Sequence, residues 1–222
     1  MFTEADQIKK LIEDKKHILI AFRKDGKGDA IASAAALALW LRELEKRADV
    51  VCANFSLPKS LAFLKGAEEI KAEMGHLQKF ILTVDIGKTG IQELSYDVKD
   101  ASLRIFVTPK SGSITKDDIR TARSDFKYDL VFTLATPDLQ SLGGVYADNS
   151  DFWYRTTVIN IDHQSVNEHF GHINIVDLTM STTAEILFNL FKQIKPEHLS
   201  AAVATALLAG MIAGTNSFKK NN

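Results

Sequence analysis

Cysteine is nearly absent from this 222-residue chain, where Cys52 stands alone. No intrachain disulfide can form, and a cysteine-based zinc site is excluded. A lone cysteine fits a reducing compartment, so a cytoplasmic protein is the expectation. An excess of either charge is also missing. Lys and Arg number 27 against 28 Asp and Glu, a formal net charge of −1. No global basic field recruits nucleic acid, so generic nucleic-acid binding is not expected. Long apolar runs are lacking too. The most apolar late stretch, "LSAAVATALLAGMIAGT" (199–215), is Ala-rich and short for a bilayer, and it reads as a buried helix. The amino terminus "MFTEADQIKKLIEDKK" is amphipathic and charged, unlike a signal peptide. No membrane partner is expected.

What remains is an ordinary globular composition, 45% hydrophobic and 25% charged. Thr3 can cap a helix running to about Lys16. "HILIAF" (17–22) is a continuous apolar run, the pattern of a strand covered on both faces. A helix over 29–47 and a strand over 49–55 follow, an order that makes a right-handed crossover. "KFILTVDIG" (79–87), "KYDLVFTLA" (127–135), "TVINID" (157–162) and "HINIVD" (172–177) read as further strands. Apolar–polar alternation around a central "KD" predicts an inserted β-hairpin at about 88–110. Thr182 and Glu185 form a capping-box pattern, and Pro196 opens the last helix. The fold class is therefore α/β: a mostly parallel sheet of about five strands with helices on both faces, plus the hairpin, in a single domain over 1–222.

Three segments carry chemistry. "GDAIAS" (28–33) opens a helix after the first strand, "NIDHQSVNEHFGHINIVDLTMSTTAEIL" (160–187) follows a later strand, and "LLAGMIAGTNSF" (207–218) lies near the end. In this order they resemble the DHH phosphoesterase family, which includes nanoRNases and exopolyphosphatase-like proteins. The resemblance implies carboxylates and histidines holding two Mn²⁺ ions, a pair that clamps the attacking and leaving oxygens in phosphoryl transfer. It also implies a second, smaller substrate-binding domain, which these 222 residues do not contain.

Against the family's first motif, His-x-x-Pro-Asp-x-Asp-Ala-x-Gly-Ser, the histidine position holds Arg23 and the first aspartate position Lys27, while Asp29 and Ser33 are kept. The bridging aspartate falls at Ala135 if "DLVFTLATPDLQSLG" is the second motif, or at Asp85 if "FILTVDIGK" is. In the third motif Asp162, His163 and Asn167 are kept, and Gln164 replaces the second histidine. The last motif's aspartate position holds Gly214. Where the family supplies four carboxylates, this chain supplies one beside two cations, too few deprotonated ligands for two divalent ions.

The first reading is thus a degenerate DHH domain in which Asp29, Asp162, His163, Gln164 and Asn167 are vestigial. It needs no cofactor. Arg23 and Lys27 could bind an anion such as a small phosphorylated ligand, or either could simply neutralise Asp29. A protein partner, including a homodimer, is also open. The alternative is an active Mn-dependent phosphodiesterase acting on short oligonucleotides or nucleotides, with a site rebuilt from Asp29, Asp85 and His163 and Asp138 nearby.

Overall fold

The computed structural model describes residues 3–219. Residues up to Leu77 and from Phe126 onward form one compact unit, and Gln78–Asp125 forms the other. The chain runs through α1 (Glu4–Asp14), β1 (His17–Phe22), α2 (Gly28–Glu43), β2 (Arg47–Val51), β3 (Phe80–Val84), β4 (Glu93–Lys99), β5 (Ser102–Thr108), β6 (Ile119–Arg123), β7 (Leu130–Leu134), α3 (Gly144–Ala147), α4 (Ser150–Arg155), β8 (Val158–Asp162), β9 (Ile173–Val176), α5 (Thr183–Ile194) and α6 (Ala201–Gly214).

In the larger unit five strands pair in the order β2-β1-β7-β8-β9, every pair parallel. The continuous apolar runs serve two layers. Ile18, Ile20 and Phe22 of β1 join a core with α1, α2, α5 and α6, while Leu19 and Ala21 pack with Leu142, Val145, Phe152 and Trp153 on the other face. The helices thus cover both faces of a parallel sheet, which is an α/β fold.

Several boundaries differ from the sequence-based expectation. The second helix ends at Glu43, because Glu45 turns left-handed (φ 60) and starts the strand earlier, at Arg47. Pro196 opens only a short 3₁₀ turn, and Ser200 caps the last helix through the Val203 N–H. The capping box is half formed: Thr182 accepts the Glu185 N–H, but the Glu185 carboxylate accepts the Ser181 N–H. The small residues of α6 bring it close to other helices. A Cβ on Gly28 of α2 would lie 2.6 Å from Ala213 Cβ, and one on Gly210 would lie 2.7 Å from Ala184 Cβ of α5. Among the described residues no helix is long and apolar enough to cross a membrane.

The smaller unit contains two antiparallel pairs, β3 with β6 and the β4–β5 hairpin. "FILTV", expected as a strand, pairs here with β6. The hairpin lies where the alternation predicts it, inside a longer insertion. Thr89 is the insertion's only buried side chain among the described residues.

Candidate functional site

From β1 the chain crosses to β2 on one side, and it later returns to β1's other side as β7. The boundary between β1 and β7 is a topological switch point, where loops at the strands' carboxyl ends diverge and leave a crevice. A cavity of about 460 Å³ lies there, lined by Arg23, Asp25, Lys27, Asp29, Ala135, His163, Gln164 and Gly214 among others. The loop after β1, the end of β7, the end of β8 and the end of α6 therefore meet at one place.

Asp29 sits in the first turn of α2, buried. Its carboxylate accepts the backbone N–H groups of Thr183 (2.8 Å) and Ala184 (3.1 Å), and the Ser33 hydroxyl (3.1 Å). The acid is thus held by the amino end of α5, where unpaired N–H groups and the helix dipole favour negative charge. Burial pushes its carboxyl above the ordinary value, while these donors and nearby His163 act in the opposite direction. Neither cation of the loop neutralises it, contrary to one sequence-based reading.

Arg23 instead pairs with Asp25 in a two-pronged contact, Nε to Oδ1 at 2.6 Å and a terminal nitrogen to Oδ2 at 2.9 Å. The guanidinium holds the Asp25 carboxyl below its usual range. The loop turns tightly at Gly26, whose N–H donates to the Arg23 carbonyl, and a Cβ there would lie 2.6 Å from Phe22 Cδ2. Lys27 is the N-cap of α2, with no side-chain cap bond, and its side chain is exposed at the cavity. Among the described residues its ammonium has no ion-pair partner. Beside the loop, burial pushes the Cys52 thiol up to about 11, so it stays protonated.

Ala135 follows β7 directly with φ 47, a left-handed conformation that alanine adopts at a cost and aspartate or asparagine more readily. Three residues on, Asp138 caps the following turn, accepting the Ser141 N–H (2.7 Å) and hydroxyl (2.9 Å). Asp85 lies in the insertion, where its carboxylate accepts the Gly87 N–H.

At the end of β8, Asp162 is fully buried and accepts the His163 N–H (2.7 Å), the Gln164 N–H (3.3 Å) and the Asn167 amide (2.9 Å). His163 Nδ1 lies 3.2 Å from the Thr183 hydroxyl. Asn167 also donates to the Thr136 carbonyl and accepts from Asn160, which donates in turn to Asn174. Sequence reasoning missed Asn160 and the Thr183–Ala184 amides. The first had a signal, a lone polar residue inside the apolar run "VINID". The amides had none, because backbone donors leave no mark in a sequence.

Gly214 closes the cavity. A Cβ at this position would lie 2.5 Å from Thr182 Cγ2 and 3.3 Å from Asp29 Cβ. The place of the last motif's aspartate is therefore filled by the packing of α6 against Thr182. Among the described residues no three His, Cys, Asp or Glu side chains are arranged as a metal-ligand set. The carboxylates that face the cavity region are already engaged by protein donors.

Comparison with known proteins bears on the family and the fold. The model of the DHH family, N-terminal domain, matches residues 17–211. A bifunctional oligoribonuclease and PAP phosphatase, NrnA of Thermus thermophilus, is 37% identical over 65 residues, which are 29% of this chain and 20% of that protein. The crystal structure of an exopolyphosphatase-related protein from Bacteroides fragilis superposes with a TM-score of 0.66 at 19% identity, over 99% of this chain and 52% of that one. The chain thus spans about half the length of that structure, and the likeness is one of fold.

Proposed function

Because this chain belongs to the DHH family, by its N-terminal domain, we propose that it is a phosphoesterase-type domain that binds a phosphorylated small molecule without two-metal hydrolysis. The observation carrying this reading is the Lys27 ammonium, without an ion pair among the described residues, at a cavity whose lining acids Asp25 and Asp29 are already bonded by protein donors. The family's metal pair needs several free carboxylates and imidazoles. Here Asp29 is spent on α5, Asp162 on its own loop and Asn167, and Ala135 and Gly214 supply no donor. The residues present do not fit two Mn²⁺ ions.

An anion suits the cavity better. Lys27 offers three donors, the Arg23 charge is offset by Asp25, and the amino end of α2 opens nearby without a side-chain cap. The relative named as an oligoribonuclease and PAP phosphatase makes a nucleotide phosphate the first ligand class to try.

The test is titration calorimetry of the dialysed protein with 5′-AMP and inorganic pyrophosphate, each with EDTA or with Mn²⁺. Binding that persists in EDTA and weakens in Lys27→Ala supports the reading. Two tightly held Mn²⁺ per chain, with hydrolysis of a dinucleotide, would overturn it in favour of a rebuilt active site.

A further inference from the structure

The β4–β5 hairpin has a face that nothing in its own unit covers. In its antiparallel register Leu94 lies opposite Val107, Tyr96 opposite Ile105, and Val98 opposite Leu103. Opposite residues share a face, as do residues two apart along a strand. These six side chains therefore form one uninterrupted apolar surface. The other face carries the pairs Glu93–Thr108, Ser95–Phe106, Asp97–Arg104 and Lys99–Ser102. This is the alternation of a sheet with one wet side and one buried side. Yet on the apolar side Ile105 is 43% exposed and Tyr96 is 73% exposed, with Leu94, Val98 and Leu103 between them. A lone two-stranded hairpin is marginal in water, and three cross-strand pairs cannot bury one another.

We propose that this face docks against the same face of a second copy of the chain, so that two hairpins form a small sandwich across a two-fold axis. Two features favour a copy. The surface carries no charge, so it meets itself without like-charge repulsion, as an isologous contact requires. Its area is also of the right order. At about 100 Å² for each of the five exposed side chains, and less for the half-buried Val107, the face gives about 500–600 Å² per chain, near the roughly 600 Å² per partner at the low end of specific interfaces. Sheets packed face to face sit about 10 Å apart, a spacing that large side chains from both hairpins fill. The Tyr96–Ile105 pair, at the centre of the face, is the expected anchor.

Light scattering coupled to size exclusion, run on the 222-residue chain over a dilution series, tests the proposal. The parent is expected to run as a dimer that dissociates on dilution. Tyr96→Glu and Tyr96→Lys, each still folded by circular dichroism, should run at half that mass. An equimolar mixture of the two should recover the dimer, because the introduced charges then meet as opposites. Ser95→Lys, on the polar face, should leave the mass unchanged. A parent that is monomeric throughout, a dimer that survives both Tyr96 substitutions, or a mixture that fails to pair would overturn the proposal.

Discussion

The Asp29 carboxylate accepts the Thr183 N–H at 2.8 Å, joining the start of α2 to the start of α5 across 154 residues of chain. In the family's pattern this acid is a metal ligand. In this structure the amino end of α5 donates to it. Removing the carboxylate strands two buried amide donors, each costing about 1–3 kcal/mol. Asp29→Ala should therefore lose about 3 kcal/mol in denaturant unfolding.

The same acid has a pH signature. Burial raises its folded pKa above 3.8. The stability linked to its protonation is thus fully present below 3.8 and is lost as pH rises through the raised folded value. Asp29→Asn lacks this titration. The parent's advantage over Asp29→Asn should be greatest in acid and shrink toward neutral pH. Paired melts across that range check it, and an advantage that grows with pH refutes it.

Asp49 on β2 titrates the opposite way. It accepts from Lys127 (2.8 Å), Tyr128 (2.8 Å) and Lys71 (3.1 Å), and His17 Nε2 lies 3.3 Å away. Burial opposes its ionisation, but these donors outweigh it and hold the carboxyl well below the usual range. Its contribution is present above 3.8 and is lost as pH falls toward the depressed folded value. Asp49→Asn should cost about 1–2 kcal/mol at neutral pH, in line with hydrogen bonds to charged groups at a partly solvated site. The deficit should vanish in strong acid.

Lys27 separates stability from binding. A cation standing in for a lost metal would sit against Asp29 or Asp162, and its removal would then be costly. Among the described residues it is exposed and without an ion pair, while Asp29 has α5. Lys27→Ala should therefore change unfolding by no more than about 0.5 kcal/mol. It should weaken 5′-AMP binding by roughly tenfold, the worth of one charge-assisted contact.

Much of this fold was legible because burial on both faces leaves a crude mark. "HILIAF", "LVFTL" and "VINID" are mostly apolar, and the hairpin alternates cleanly. β6, "IRTAR", was not legible, because its two arginines and its isolation from any core remove the pattern. At the site, the motif positions identified from the family resemblance do meet around one cavity. Their partners could not be read, since Asp29 is satisfied by backbone amides and Arg23 by Asp25, which is not a motif residue. The crowding at Gly214 depends on how α6 meets Thr182, which only tertiary packing determines.

That crowding predicts an asymmetry between two positions that look alike in the sequence. Gly214 stands where the family pattern has aspartate, and Ala135 does too if the second motif is "DLVFTLATPDLQSLG" rather than "FILTVDIGK". Ala135 is buried but lines the cavity in a left-handed conformation that aspartate tolerates, so Ala135→Asp should cost less than Gly214→Asp. Gly214 has no room, since even a Cβ would come within 2.5 Å of Thr182 Cγ2. Thr182 caps α5 through the Glu185 N–H, so it cannot move without loosening the helix end that holds Asp29. Overpacking of this kind costs about 1–3 kcal/mol, and a buried aspartate beside Asp29 adds like-charge repulsion. Gly214→Ala should already destabilise by about 2 kcal/mol, and Gly214→Asp by more. Point reversions would then fail to rebuild the ligand set together: Arg23→His, Lys27→Asp and Ala135→Asp would be accepted, while Gly214→Asp would unfold the α6 end. Chemical denaturation of each variant measures this. A Gly214→Asp protein as stable as Ala135→Asp would show that α6 can retreat and that the fourth ligand position is still open.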